Sequence, residues 1–499
     1  MHHRQSIDRR EFVKASAAMA STVGLASGPL NAADREVSRA LVPPWMPKAD
    51  AMVLIWLPGG IAQPDTWDPK QLTPYRKGMT GDEILGTCAS IPTTADGIRL
   101  GEGLEGMASV MHLGTILRTL SNKTKFGAIH HKAQYYMMTG YVPPVGVKAP
   151  SIGSIVARTL GRRHPHIPPY IYIGRDINTS DAAKLFISEF LGPGFYGPKY
   201  QPFMIPDATS GMATLEAYAG MPRSRLDRRQ AFLQKLFSRN SMLKDSPKAT
   251  AYMQMLEDAR AMMDSPVKQA FNYQTEESPA TLQAYLPRIA AAELADGSYF
   301  HGERFGHSLL LARRLVERGA RLVQVEYEYG PLKGFDMHDN GCTRMVEMKR
   351  QIDGPISQLI RDLDERGLLE RTIVMLATEF GRTIASAPSA GREPEGFAEQ
   401  HDGAGLVVSE PKLYGFHGHF SSCNCLLFFG GGFKQGFVYG KTADRHPFVP
   451  IEKPVRLEDV HATFYKALGI PPDHGYETES RPFYVTKDGT GQPIDDLLA

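Results

Sequence analysis

The 499-residue chain is poor in cysteine, has no long apolar run and carries little excess of either charge. Four cysteines (Cys88, Cys342, Cys423, Cys425) are too few to staple a scaffold. Cys423 and Cys425 stand one residue apart, which suits neither a C-x-x-C redox pair nor a zinc knuckle. They read as small core residues on a strand. No stretch of roughly 18 apolar residues occurs, so no transmembrane segment is expected. Lys and Arg total 56 against 54 Asp and Glu, and the +2 difference lies within residues 1–33 (Arg4, Arg9, Arg10 and Lys14 against Asp8 and Glu11). The rest is formally neutral, which argues against a dedicated nucleic-acid partner. Hydrophobic residues at 42% and charged residues at 22% are ordinary for a globular enzyme and exclude collagen-like, coiled-coil and wholly disordered chains. No internal repeat is visible. At roughly 100–200 residues per domain, the length allows one large α/β domain or two to three smaller ones.

The first 33 residues read as an export signal. Asp8-Arg9-Arg10-Glu11-Phe12-Val13-Lys14 resembles the twin-arginine consensus; an apolar stretch from Ala15 to Gly28 and small residues at Asn31-Ala32-Ala33 follow it. A charged start, a short apolar middle and small residues before the mature chain make a secretory signal, not a spanning helix. The protein is expected outside the cytoplasmic membrane, periplasmic or extracellular, with the twin-arginine translocon as its partner during export. That route carries folded proteins, which fits uptake of a metal before export.

Beyond the signal, Met52–Leu57 is a short apolar run ended by Pro58-Gly59-Gly60, the pattern of a buried strand with a sharp exit. Further strands are expected at Tyr170–Ile173, Arg321–Tyr327, Thr372–Thr378 and Cys423–Phe429, which are rich in Ile, Val, Leu, Tyr and Phe. Helical patterns cover Gly302–Arg318 before Gly319, Thr343–Arg366 before Gly367, and Val460–Leu468 before Gly469-Ile470-Pro471. Strands alternating with such helices predict an α/β fold, a doubly wound, mostly parallel sheet sandwiched by helices. Residues 205–300 instead read as helices (Gln230–Phe237, Ala249–Met263, Thr281–Ala295) without a clear strand, a helical cap or insertion within a domain of residues 34–499. Residues 384–412 read as a long exposed loop.

Four clusters carry groups suited to metal chemistry. Asp65 and Asp68 follow the first strand past the Gly-Gly turn. Asp336 and His338 follow Arg321–Tyr327, and in extended chain they point the same way, so they can bind one ion. Glu379 and Arg382 end the strand Thr372–Thr378, and His417 and His419 precede Cys423–Phe429. Carboxylates and imidazoles at the carboxyl ends of parallel strands suit a divalent ion such as zinc, manganese or calcium. The last cluster reaches that edge only if its strand is antiparallel or its loop folds back. Each cluster alone also reads as turn, cap or solvated loop residues.

Taken together, these stretches are similar to a large family of twin-arginine-exported, sulfatase-like proteins of unassigned function in the alkaline phosphatase and sulfatase superfamily. The similarity is carried by Leu57-Pro58-Gly59-Gly60 with Asp65-Thr66-Trp67-Asp68-Pro69-Lys70, His131–Gly140, Pro150–Ser154, Arg304–Gln324, Asp336-Met337-His338, Thr378–Thr383, and Gly430-Gly431-Gly432 through Gly440-Lys441-Thr442. It runs from about Val53 to Gly469. The resemblance implies an alkaline-phosphatase-like core with one or two divalent ions. It implies Asp65 or Asp68 as the early acid, Asp336 and His338 as the Asp–His pair, Glu379 in the place usually held by Asp, and His419 as the late His with His417 as its competitor. The nucleophile departs from the superfamily. Met138-Thr139-Gly140 looks like the motif that follows it, and the attacking offset holds His130 and His131. No cysteine begins C-x-P-S-R, so the usual formylglycine of sulfatases cannot form. A histidine that attacks or ligates, a nearby Ser121 or Thr124, and a metal-activated water all remain open, as does a site that only binds.

The expected activity is hydrolysis of a phosphate or sulfate ester, small-molecule or polysaccharide, with Arg382 holding an anionic oxygen. The alternative is a secreted, non-catalytic metal-binding protein that recognises a sulfated or phosphorylated polymer. Export gives the first test: replacing Arg9-Arg10 by Lys-Lys is expected to hold the protein in the cytoplasm, as read by cell fractionation, and normal export of that variant would refute the twin-arginine reading.

Overall fold

The computed structural model describes residues 45–499 apart from 123–127, 144–146, 175–190, 216–220, 245, 296–299, 329–333, 385–406 and 479–480. The signal segment 1–33, Thr124 and most of the loop 384–412 lie outside the described residues. Among the described residues, nine strands form one sheet: β1 (Ala51–Trp56), β2 (Gly114–Ser121), β3 (Tyr170–Ile173), β4 (Phe203–Ile205), β5 (Leu322–Glu326), β6 (Thr372–Ala377), β7 (Asn424–Phe429), β8 (Phe437–Tyr439) and β9 (Val455–Arg456). Their order is β8-β2-β7-β6-β1-β5-β3-β4, with β8 and β9 pairing successive stretches of β2. From β6 through β1, β5 and β3 to β4 every pairing is parallel. Within this sheet β7 alone is reversed, running antiparallel to both β6 and β2.

β1 occupies the middle, and all six of its residues are buried, as a parallel strand covered on both faces requires. Its side chains alternate. Met52, Leu54 and Trp56 join a core with Ile152 and Ile155 of α2 (Ile152–Leu160) and Val460 and Phe464 of α7 (Leu457–Leu468). Ala51, Val53 and Ile55 face Leu309 of α5 (Gly302–Glu317) and Ile352, Ile356 and Leu359 of α6 (Gly341–Glu365). Each large apolar side chain buried here stabilises the fold by about 1.5–3 kcal/mol. The two helical layers make the sheet doubly wound, as the alternation of strands and helices predicts. Cys423 and Cys425 are buried at and before β7, in the role of small core residues.

Residues 205–300 hold α3 (Arg223–Arg239), α4 (Pro247–Asp264) and several short helices. The helix predicted over Thr281–Ala295 is confined to Pro279–Ala284, with a separate short turn at Ala291–Glu293. Pro287 is the cause: it has no N–H to give and it biases residue 286 out of the helical region. β2 went unpredicted because Gly114, Thr115, Arg118 and Thr119 interrupt its apolar pattern.

The exit from β1 is a close backbone crossing. Gly59 has φ +119°, and a Cβ there would lie 2.3 Å from the Asp336 nitrogen. A Cβ on Gly60, at φ +82°, would lie 2.7 Å from the Phe380 ring. Gly59→Ala is expected to cost at least about 3 kcal/mol through strain and overlap. Gly78→Ala, at φ +86° with open space around it, should cost only about 1 kcal/mol. Urea unfolding midpoints check this, and equal losses at the two positions would show that the crossing is not tight.

Candidate metal centre

The carboxyl edge of the sheet gathers five segments: the Pro58–Gly60 turn after β1, the start of α1 (His130–Thr139), residues 336–338 beyond β5, residues 378–382 after β6, and residues 417–419 before β7. The reversed β7 explains how the last of these arrives. A strand that runs against its neighbours begins where they end, so the residues preceding it lie at their carboxyl edge. A two-residue antiparallel ribbon fixes the register, with His419 opposite Arg382 and Phe420 opposite Gly381.

His130 stands at the first position of α1. Its Nδ1 lies 2.7 Å from Glu379 Oε1. That oxygen also accepts from the Gly59 N–H at 2.8 Å and from Gln134 Nε2 at 3.2 Å. An ionised carboxylate can only accept, so Nδ1 donates and carries the proton, and Nε2 turns the other way. The Nε2 lies 3.1 Å from Asp336 Oδ1 and 3.2 Å from His419 Nε2. His419 is held in the same sense: its Nδ1 faces the Ala128 carbonyl at 2.8 Å, which can only accept, so Nε2 points inward. His338 Nε2 lies 3.2 Å from Asp336 Oδ1, and its ring centroid is 5.0 Å from that of His419.

His130, Asp336 and His419 therefore offer ligand atoms within 4.8 Å of one another, a set that can hold a metal ion. Two imidazole nitrogens and a carboxylate oxygen facing one point require a cation between them, either a proton or a metal. The His130–Glu379 bond has the arrangement by which a carboxylate sets the tautomer and orientation of a metal-binding imidazole. The donor set thus fits a divalent ion, with His130, His419, Asp336 and, at the rim, His338 as its holders.

Electrostatics follow the same geometry. Burial favours a neutral Asp336, but His130, His338 and Arg382 outweigh it and hold the carboxyl far below the usual carboxylate range. Burial disfavours the charged form of His130, yet Asp336 and Glu379 raise its pKa above the ordinary value. Burial, reinforced by Arg382 and His130, pushes His419 well down. Burial likewise lowers His338 against the pull of Asp336.

The remaining predicted residues lie elsewhere. Glu379 is fully buried and bonds to the imidazole behind the cluster. Asp65 accepts from the Thr87 N–H at 2.8 Å and hydroxyl at 2.6 Å, and faces His417 Nε2 at 3.9 Å. Burial raises its pKa, but His417, Lys349 and Thr87 outweigh that and keep it below the ordinary value. Asp68 sits between Lys70 Nζ at 3.0 Å and Arg118 Nε at 3.3 Å and accepts from Thr442. These two acids form a separate buried pair with His417 and a separate cationic pocket. His131 is half-buried on the next position of α1. Ser121 is half-buried at the end of β2.

Arg382 is the largest departure from the sequence reading. It is fully buried, and its five N–H donors all have partners. Nε donates to the Gly59 carbonyl at 2.9 Å, Nη1 to the Met337 and His417 carbonyls at 3.0 and 2.9 Å, and Nη2 to Gly59 O and Asp336 Oδ1, each at 2.5 Å. No donor is left for a substrate oxygen. Sequence reasoning missed Gln134, Asn122 and the Gly59 amide. The i, i+4 spacing of His130 and Gln134 on one helix face was the available signal for the first. Nothing local marks Asn122, whose Nδ2 donates to the Glu379 carbonyl at 2.6 Å.

Residues 49–498 match the family described as Protein of unknown function (DUF1501). No curated protein matches the chain by sequence. Similar solved structures include the lipoteichoic acid synthase LtaP from Listeria monocytogenes, at 9% identity and TM-score 0.34, covering 95% of this chain and 81% of that one. Others are a protein in the alkaline phosphatase superfamily from Vibrio parahaemolyticus (9% identity, TM-score 0.36, 99% and 81% covered) and the phosphonate monoester hydrolase SpPMH from Silicibacter pomeroyi (11%, 0.34, 90% and 76%). At these TM-scores the likenesses carry no argument about the reaction. The family match, by contrast, spans the whole sheet, both helical layers and every segment of the candidate metal centre, and the chain belongs to the family described as Protein of unknown function (DUF1501).

Proposed function

We propose that the protein is an exported, metal-dependent hydrolase of phosphate or sulfate esters, with the alkaline-phosphatase-like core that its sequence resembles. The observation that carries this reading is the convergence of His130 Nε2, His419 Nε2 and Asp336 Oδ1, with His338 beside them. A set rich in imidazole favours zinc over calcium or manganese, which prefer oxygen ligands. A divalent ion there would polarise an ester oxygen and bring the pKa of water towards ~7. Within the protein, Glu379 holds the His130 tautomer, the Ala128 carbonyl holds that of His419, and His130, His338 and Arg382 keep Asp336 ionised. His130 is committed at both ring nitrogens, so it belongs to the ion rather than to nucleophilic attack. Export through the twin-arginine route, into the periplasm or beyond, rests on Arg9-Arg10 and the segment that follows.

A second reading, a secreted metal-binding protein without turnover, draws on Arg382, whose donors are spent within the fold. Assays with aryl phosphate and aryl sulfate esters across several divalent metals separate the two. Metal uptake without ester cleavage would select the second.

Metal content by mass spectrometry tests the centre. Asp336→Ala and His419→Ala are each expected to lose one ion per chain, and Glu379→Gln to weaken binding about 10–100-fold through loss of the orienting carboxylate. Unchanged metal in both Asp336→Ala and His338→Ala would place the ion elsewhere. For the nucleophile, Ser121→Ala is expected to keep its activity, and acid quenching during turnover of a phosphate ester should trap no phosphoprotein. An acid-stable phosphoserine at Ser121 would restore a covalent mechanism.

A further inference from the structure

α3 is unusual in that none of its 17 residues is buried. It carries Arg223, Arg225, Arg228, Arg229, Lys235 and Arg239 against a single acid, Asp227, so the overall neutrality of the chain conceals a local basic block. Two ion pairs, Arg223 with Asp264 and Asp227 with Arg260, fasten it to α4. Among the described residues, Arg225, Arg228, Arg229, Lys235 and Arg239 form no ion pair. Leu226, Gln230, Leu233 and Phe237, spaced for one face, are half-buried. Another face carries Arg225, Arg229, Phe232 and Leu236 at i, i+4, i+7 and i+11. Phe232 is 64% and Leu236 48% exposed, and Met242 just beyond the helix is 83% exposed.

We infer that this face of α3 docks on a bilayer surface bearing anionic phospholipid headgroups. The charge and the apolar side chains are both needed for the argument. Unpaired arginines alone would fit any polyanion. Phe232, Leu236 and Met242 beside them match a helix that lies in the plane of an interface, with its apolar side chains at the acyl boundary and its basic ones at the phosphates. Nucleic acid would account for the arginines but not for three exposed apolar side chains next to them, and an acidic protein partner, whose interface would use both, is the reading that absent binding to anionic vesicles would select. A membrane surface would hold the protein peripherally, without a spanning segment. This surface is independent of the metal centre.

The test uses the full chain and flotation with vesicles of pure phosphatidylcholine or of phosphatidylcholine with about a third phosphatidylglycerol. Binding is expected only to the anionic vesicles and should fall as salt is raised. Arg225→Glu, Arg228→Glu and Arg229→Glu combined should weaken it at least about a hundredfold. Phe232→Ser with Leu236→Ser should weaken it at least about tenfold, with metal content unchanged as the control for folding. Equal binding to both vesicle types, or no binding to the anionic ones, would overturn the proposal. So would a dimer, seen by light scattering, that the Phe232→Ser, Leu236→Ser variant dissolves, because the face would then be covered by a second copy of the chain.

Discussion

The guanidinium of Arg382 holds the carboxyl edge of the sheet together. It is fully buried and donates to carbonyls from three separate segments, at Gly59, Met337 and His417, as well as to the carboxylate of Asp336. A buried charge is tolerated only when paired and fully hydrogen-bonded, and here both conditions are met at once. Removing one partner of such a pair costs about 3–5 kcal/mol, because the other charge is left buried alone. The same contacts, together with those of His130 and His338, keep Asp336 ionised against its burial. The position of the acid and the path of three loops are thus one requirement, met by one side chain.

Around that cation, the imidazoles are sorted by what stands behind them. His130 has a carboxylate at its back and His419 a backbone carbonyl, and each is thereby turned so that its second nitrogen faces Asp336. His417, close in sequence to His419, faces Asp65 and has no part in the cluster. Two histidines separated by one residue on an extended segment would share a face in a regular strand. Here His419 belongs to the ribbon with Arg382 while His417 lies before it, its backbone N–H bonded to the His338 carbonyl.

Much of the fold was legible in the sequence. The apolar runs at 52–57, 170–173, 321–327, 372–378 and 423–429 each became a strand within a residue or two, and Gly319 and Gly367 end their helices with positive φ as C′ residues should. Asp336, His338 and His419 were legible as candidate metal ligands, and His130 as a group that attacks or ligates. Their partners were not, because partnership depends on which loops cross. Asp65 and Asp68 follow the first strand closely, yet they turn towards Thr87 and towards Lys70 and Arg118, contacts that no local spacing encodes. Arg382 shows the same limit from the other side. A lone arginine near acids reads as an anion binder until burial and four internal acceptors are seen. The basic character of α3 was concealed in a different way, by averaging over a chain whose other segments offset it.

The reversal of β7 also sets the order in which the molecule can be completed. β7 lies between β2 and β6, and pairs Leu427 with both Ile116 and Leu376. Until residues 424–429 exist, β2 has no neighbour linking it to the parallel half of the sheet. The edge formed by β2, β8 and β9 is therefore joined to the rest last, and His419 and Arg382 meet only when that insertion occurs. Contacts spanning some three hundred residues make such a step slow relative to local helix formation. An emerging chain would leave β2 unpaired and one edge of the parallel half open until then, available for pairing with other chains. The late strand that brings His419 to the carboxyl edge is the same one that ends this exposure.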